Sequence, residues 1–190
     1  MYKITCKFFI VITLLTGCFY PWLITEIATT TMPSKAYGSL IYQNGQLRGS
    51  ILIGQSFTKN EYFWSRPSVT NYNTVPAIAS NLGPTSKILK NMVEERAKQW
   101  ANTSLPKEKI PTDLLYASAS NIDPHISPQA AFYQVERIAN ARSLNAEQIA
   151  RLNSMIDNQT EGKMEVLGSP HVNVLFLNQL LDKEFPKSGL

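Results

Sequence analysis

Residues 8–28, FFIVITLLTGCFYPWLITEIA, hold one charge, Glu26, near their far end. Wound as a helix at ~1.5 Å per residue, the run is about 31 Å long, enough to cross the hydrocarbon of a bilayer. Lys3 and Lys7 precede it, and the positive-inside rule keeps them in the cytoplasm and translocates everything after residue 28. Tyr20 and Trp22 suit the far interface, and Pro21 is tolerable where threonines or neighbouring helices satisfy the carbonyl it frees. Two other readings stay open. Ala28-Thr29-Thr30 is a passable signal-peptide cut site, and Leu15-Thr16-Gly17-Cys18 resembles a lipoprotein box, although FYPWLI follows it where a polar tether is normal. The expected layout is a cytoplasmic N-terminus (1–7), a transmembrane helix (8–28) and an extracytoplasmic domain (29–190).

About 155 residues then remain for a folded body, enough for one core. At 44% apolar and 17% charged, the chain is neither disordered nor as charged as an average soluble surface. Its net charge of +4 falls to +2 without Lys3 and Lys7. Acids and bases interleave and no basic stripe alternates with aromatics, which argues against nucleic acid as a partner. Cys6 and Cys18 both lie in or beside the apolar run, about 18 Å apart on a helix and beyond disulfide reach. The outer domain has no cysteine, so its stability rests on its core and a cysteine metal site is excluded.

Residues 39–43 and 46–55 read as two β segments joined at Asn44-Gly45, a favoured hairpin dipeptide. Residues 57–84, rich in Asn, Ser, Thr, Tyr and Pro, read as a long ordered loop carrying Tyr62, Phe63 and Trp64. Ile88, Leu89, Met92, Val93, Ala97 and Trp100 follow helical spacing and predict an amphipathic surface helix. A polar loop over residues 102–111 leads to DLLYAS (113–118), which reads as a buried strand. Ser127-Pro128 predicts a capped helix to about Arg142, and Asn145 with Gln148 a capping box, stapled by Leu144 and Ile149. Residues 164–167 lie between two glycines, residues 171–182 read as strand or buried helix, and the tail from Lys183 is expected to fray. The predicted fold is a mixed α/β (α+β) extracytoplasmic domain on one transmembrane helix.

The densest polar group is residues 118–127, SASNIDPHIS, between the predicted strand and a helix start. Free N–H groups there, with Ser118, Ser120 and Asn121 nearby, can cradle a phosphate or carboxylate. The structural alternative has Asp123 and Ser127 capping the helix, Pro124 stiffening the turn and His125 packing. A Ser-His-Asp hydrolase around Ser120 and His125 is disfavoured, because Asp123 and His125 are too close in sequence for triad geometry and no Gly-x-Ser-x-Gly elbow exists. His125 and His171 have no metal-ligand spacing, and neither Gly-x-x-x-x-Gly-Lys-Ser/Thr nor Gly-x-Gly-x-x-Gly occurs. Asp182-Lys183-Glu184 lacks the Thr-Gly of a P-type phosphorylation loop, so the chain is no catalytic pump subunit by itself.

Six ordered blocks carry a resemblance: Gly38-Ser39-Leu40-Ile41; Gly49-Ser50-x-x-Ile53-Gly54-Gln55-x-Phe57; Tyr62-Phe63-Trp64-x-Arg66-Pro67-Ser68; Ser80-Asn81-Leu82-Gly83-Pro84; Asp123-Pro124-His125-Ile126-Ser127-Pro128; and Val172-Asn173-Val174-Leu175. Together they resemble the C subunit of the Kdp potassium-transporting P-type ATPase, over about residues 8–182. The resemblance implies an accessory subunit of the cell membrane, beside a potassium-translocating subunit, an ATP-hydrolysing subunit and a further small membrane subunit. It implies a catalytic chaperone that raises ATP affinity, with no tightly bound cofactor and ATP reached through the complex. Any nucleotide contact would fall on Ser118, Ser120, Asp123 and Gln134. Tyr62, Phe63, Trp64, Arg66, Asn81 and His125 are the candidate partner contacts, since aromatics and arginine dominate interface hot spots. The chain departs from the family pattern at Ala119 and Asn121, where glycines are usual, and at His171, where arginine is usual. Asn121 can keep a left-handed turn; Ala119 would be strained at positive φ.

Overall fold

A computed structural model describes residues 2–43, 45–75, 78–101, 110–162 and 168–186. The chain divides into two compact units, Met1–Ser50 and Ile51–Leu190.

In the first unit the apolar run forms one helix, Tyr2–Thr31, long and apolar enough to cross a membrane. It consists of α1 (Tyr2–Leu14), a π turn (Leu15–Phe19) and α2 (Tyr20–Thr31), with no residue buried. Threonine hydroxyls bond back to carbonyls one turn earlier, as Thr16 does to Ile12 (2.8 Å) and Thr25 to Pro21 (2.8 Å). After the short α3 (Pro33–Ala36) comes an antiparallel hairpin of β1 (Leu40–Gln43) and β2 (Gln46–Ser50), irregular between Ile41 and Tyr42. Gln43 pairs with Gln46 and Gly45 has φ 73°, fitting a two-residue connection; Asn44 itself lies outside the described residues. The second strand ends at Ser50, short of the expected Gln55, because Gly54 N–H turns to the Ile122 carbonyl at 2.7 Å.

The second unit is built on helices. They are α4 (Lys87–Ala101), α5 (Pro128–Arg142), α6 (Ala146–Gln159) and α7 (Val174–Glu184), with a two-residue antiparallel pair of β3 (His125–Ile126) and β4 (Val172–Asn173). Its core joins Ile126, Ala130, Ala131, Val135 and Ile138 to Leu152 and Ile156 of α6, and to Val172, Val174, Leu177 and Leu181. Phe63, Trp100, Leu114 and Phe185 close it. Residues 57–84 contain neither helix nor strand where described.

Local signals hold where capping chemistry set them. Ser127 accepts from Ala130 N–H with Pro128 at the first helical position, and Asn145 and Gln148 form the reciprocal capping box. Leu144 and Ile149 both pack against the core. Several expectations are corrected. DLLYAS is no strand: Thr112–Leu114 is a 3-10 turn, because the Leu114, Leu115 and Tyr116 N–H groups bond the nearby Pro111 and Thr112 carbonyls. Leu114 is still buried. Residues 171–182 resolve into β4 followed by α7, which Asn173 caps through Phe176 N–H. The helix runs on to Glu184 and Phe185 is buried, so the tail is ordered at least to Phe185. Ile88 faces outward, 63% exposed, as α4 begins only at Lys87 and turns Leu89, Met92 and Val93 inward. The expectations for residues 102–109 and 164–167 lie outside the described residues.

Gly54 is where two backbones meet. A Cβ there would lie 2.6 Å from the Asp123 carbonyl oxygen, a backbone atom that cannot step aside. Gly54→Ala is therefore expected to cost about 1–3 kcal/mol of stability, read as a lowered thermal midpoint of the full chain in detergent.

Candidate functional site

Residues 60–64 leave a turn closed by Tyr62 N–H on the Lys59 carbonyl (3.2 Å) and belong to no strand. Backbone polar groups along them are taken instead by side chains of α5 and α7. Asn178 accepts from Phe63 N–H (2.8 Å) and donates to its carbonyl (3.0 Å). Gln134 does the same one residue on, accepting from Trp64 N–H (2.7 Å) and donating to its carbonyl (3.2 Å). Phe63 and Trp64 thus present their backbone polar groups to different helices, and two carboxamides grip the chain from α7 and α5. Arg137 donates to the Asn60 and Tyr62 carbonyls, and Arg142 to that of Glu61. Asp182 receives Arg142 on one oxygen (2.6 Å) and the Tyr62 hydroxyl on the other (2.9 Å).

Gln134 is fully buried, and its other bonds run to the Ala130 carbonyl and from Arg137. A carboxamide has two donor hydrogens and two acceptor lone pairs, and here all four are used. Nothing on Gln134 is left over for a nucleotide in this conformation. Arg137 is buried beside it, its guanidinium 4.1 Å from the centroid of Trp64 and 5.5 Å from that of Trp100. Burial pushes its pKa down to about 10, which leaves it charged at neutral pH. Among the described residues no carboxylate pairs with it; carbonyl dipoles and ring faces carry the charge. The sequence reading missed Arg137, Arg142, Asn178 and Asp182. A signal was there: Gln134 and Arg137 fall in helical phase with Ala130, Ala131 and Ile138, where an apolar residue would be expected.

The polar stretch 118–127 lies on a cleft of about 570 Å³, lined among others by Arg66, Asp113, Asp123, His125, Ser127 and His171. Arg66 meets Asp123 at 3.2 Å, and the other Asp123 oxygen accepts His125 N–H at 2.9 Å, an Asx turn in front of β3. Burial works to raise the Asp123 pKa, but the hydrogen bonds from the His125 side chain and backbone, with the charges of Arg66 and His125, outweigh it and hold the carboxyl below its ordinary value. His125 and His171 stand edge to face, centroids 4.7 Å apart, and His171 Nδ1 lies 2.8 Å from the Ser169 carbonyl oxygen. Asp113 accepts Ser127 N–H at 2.8 Å, so the helix start is capped from the preceding turn.

The remaining candidates are scattered. Ser118 is buried, while Ser120 is exposed with its hydroxyl receiving Ile122 N–H (3.3 Å). Among the described residues no serine hydroxyl hydrogen-bonds either histidine and no group of His, Cys, Asp and Glu is arranged for a metal. Phe63 sits in the core at 0% exposure, where a partner cannot reach it, because Asn178 turns it inward. Tyr62, Trp64 and Arg66 are half-buried and Asn81 is exposed. Asn121 has φ 59° and a buried side chain that accepts from Val69 N–H and donates to the Ile78 carbonyl. Ala119 is not among the residues with positive φ, so no strain falls on it.

One N-terminal helix long and apolar enough to cross a membrane, in a unit that ends in a hairpin, followed by a helix-rich unit around a two-stranded sheet, defines a protein with one candidate membrane span and a folded body after it. The family model described as "KdpC: K+-transporting ATPase, c chain" matches residues 2–183, and the chain belongs to that family. The potassium-transporting ATPase KdpC subunit of Herpetosiphon aurantiacus is 48% identical, over 92% of this chain and 91% of its own. Those of Polynucleobacter asymbioticus (43%, covering 92% and 93%) and Leptospira interrogans (41%, covering 96% and 94%) are similar along the same span.

Gln134→Leu strands the Trp64 N–H and carbonyl and one Arg137 bond; at about 1–3 kcal/mol for each of these three groups the loss should be about 3–9 kcal/mol in denaturant unfolding. Asp123, with its pKa lowered on folding, adds stability that is full above its unfolded value near 3.8 and disappears as pH falls through the depressed folded value. Asp123→Asn should therefore flatten the acid limb of a stability-against-pH curve and leave its slope above about pH 6 unchanged.

Proposed function

We propose that the chain is the accessory, non-catalytic subunit of an ATP-driven potassium uptake complex. It is anchored in the cell membrane by residues 8–28, N-terminus inside and domain on the outer face. The family match, which runs unbroken from the anchor into α7, carries this reading. The partners are a potassium-translocating subunit, an ATP-hydrolysing P-type subunit and a further small membrane subunit. The domain docks on the outer side of the potassium-translocating subunit through the reachable edges of Tyr62, Trp64, Arg66, Asn81 and His125, and supports assembly and stability.

The catalytic-chaperone role then operates at a distance. Gln134 is saturated inside the fold, Asp123 is held by Arg66 and His125, and Lys3 and Lys7 set the domain on the side away from ATP. A rise in ATP affinity at the hydrolytic subunit is a coupling between states of the whole complex. Protease added to intact spheroplasts should cut the domain without lysis. Equilibrium dialysis of the purified full chain should find no saturable ATP binding, whereas the assembled complex should lose ATP affinity when the chain is left out. Cleavage only after lysis, or saturable ATP binding by the chain alone, would overturn the reading.

A further inference from the structure

The anchor helix contains a backbone acceptor, the Thr16 carbonyl, that its own ladder leaves without a donor. In an α-helix the Thr16 carbonyl would receive the Tyr20 N–H, but in the π turn that N–H goes to Leu15 O. The next donor along would be residue 21, a proline, which has none. Neighbouring hydroxyls are committed elsewhere, Thr16 to Ile12 O and Thr25 to Pro21 O. Residue 16 lies near the middle of residues 8–28, where an unpaired carbonyl facing lipid is costly. Gly17 leaves the approach open: a Cβ there would meet nothing within 4 Å.

We propose that the Thr16 carbonyl is the acceptor of an interhelical hydrogen bond, in the notch left by Gly17, from a hydroxyl or carboxamide side chain on a transmembrane helix of another subunit. The inference rests on the anchored, complex-bound reading given above. A second copy of this chain does not fit. A two-fold parallel pair would set like carbonyls on facing positions, where the Thr16 hydroxyl is spent on Ile12 O and the Cys18 thiol is a weak donor, which leaves only Thr13, a turn away, on such a partner.

The test uses the full complex in membranes, with Pro21→Ala, which returns an N–H and lets the helix serve its own carbonyl, and Gly17→Leu, which covers the notch. Both variants should stay in the membrane through an alkaline wash. Their retention on an affinity-tagged ATP-hydrolysing subunit in detergent should weaken about three- to twenty-fold. A photoreactive phenylalanine analogue in place of Tyr20 should yield an adduct with another subunit. Wild-type retention of both variants, or an adduct of two copies of this chain, would overturn the proposal alone. Release of the wild-type chain by the alkaline wash would overturn the anchor, and the proposal with it.

Discussion

Two carboxamides substitute for neighbouring β-strands, and the organisation of the domain depends on that substitution. A backbone that enters the core must pair its N–H and carbonyl groups, and among the described residues of this unit the two-residue strands offer it no ladder. Asn178 and Gln134 reproduce the donor–acceptor face of a peptide unit from two helices, so Phe63 can sit in the core with its backbone satisfied. Arg137, Arg142 and Asp182 extend the grip to residues 60–62. A long segment that composition marks as a loop is thus fixed by helices far along the chain.

The fixing of that segment also positions the polar cleft. Arg66 follows directly from the gripped residues and reaches Asp123, whose second oxygen orders the turn into β3. Asn121 ties the same turn to Val69 and Ile78, and Gly54 presses against its far side. Three segments distant in sequence converge on residues 121–125. The apolar core supplies the cohesion, and these polar contacts decide which face the cleft opens on.

Signals confined to a few neighbouring residues were legible in the sequence. The apolar run, the Ser127-Pro128 start, the Asn145-Gln148 box and the left-handed tolerance of Asn121 each follow from chemistry within about four positions. What was hidden depends on distant partners. The Gln134 and Asn178 bonds span 70 and 115 residues, and a polar residue in a core phase does not announce which backbone it will meet. DLLYAS was misread because apolar content marks burial and says nothing of where the N–H groups go. The four proposed nucleotide residues stand in different settings: Gln134 belongs to the interior, Ser118 is buried and Ser120 is exposed.

The composition of the grip around Trp64 has a consequence for the milieu the domain tolerates. Carboxamides do not ionise, and the Arg137 guanidinium stays protonated up to about pH 10. The lock that holds Phe63 and Trp64 therefore keeps the same donors and acceptors in mildly acid and mildly alkaline media alike, and with no cysteine after Cys18 it has no disulfide for a thiol to reduce. On the outer face proposed above, such a domain would carry its own constancy in this way.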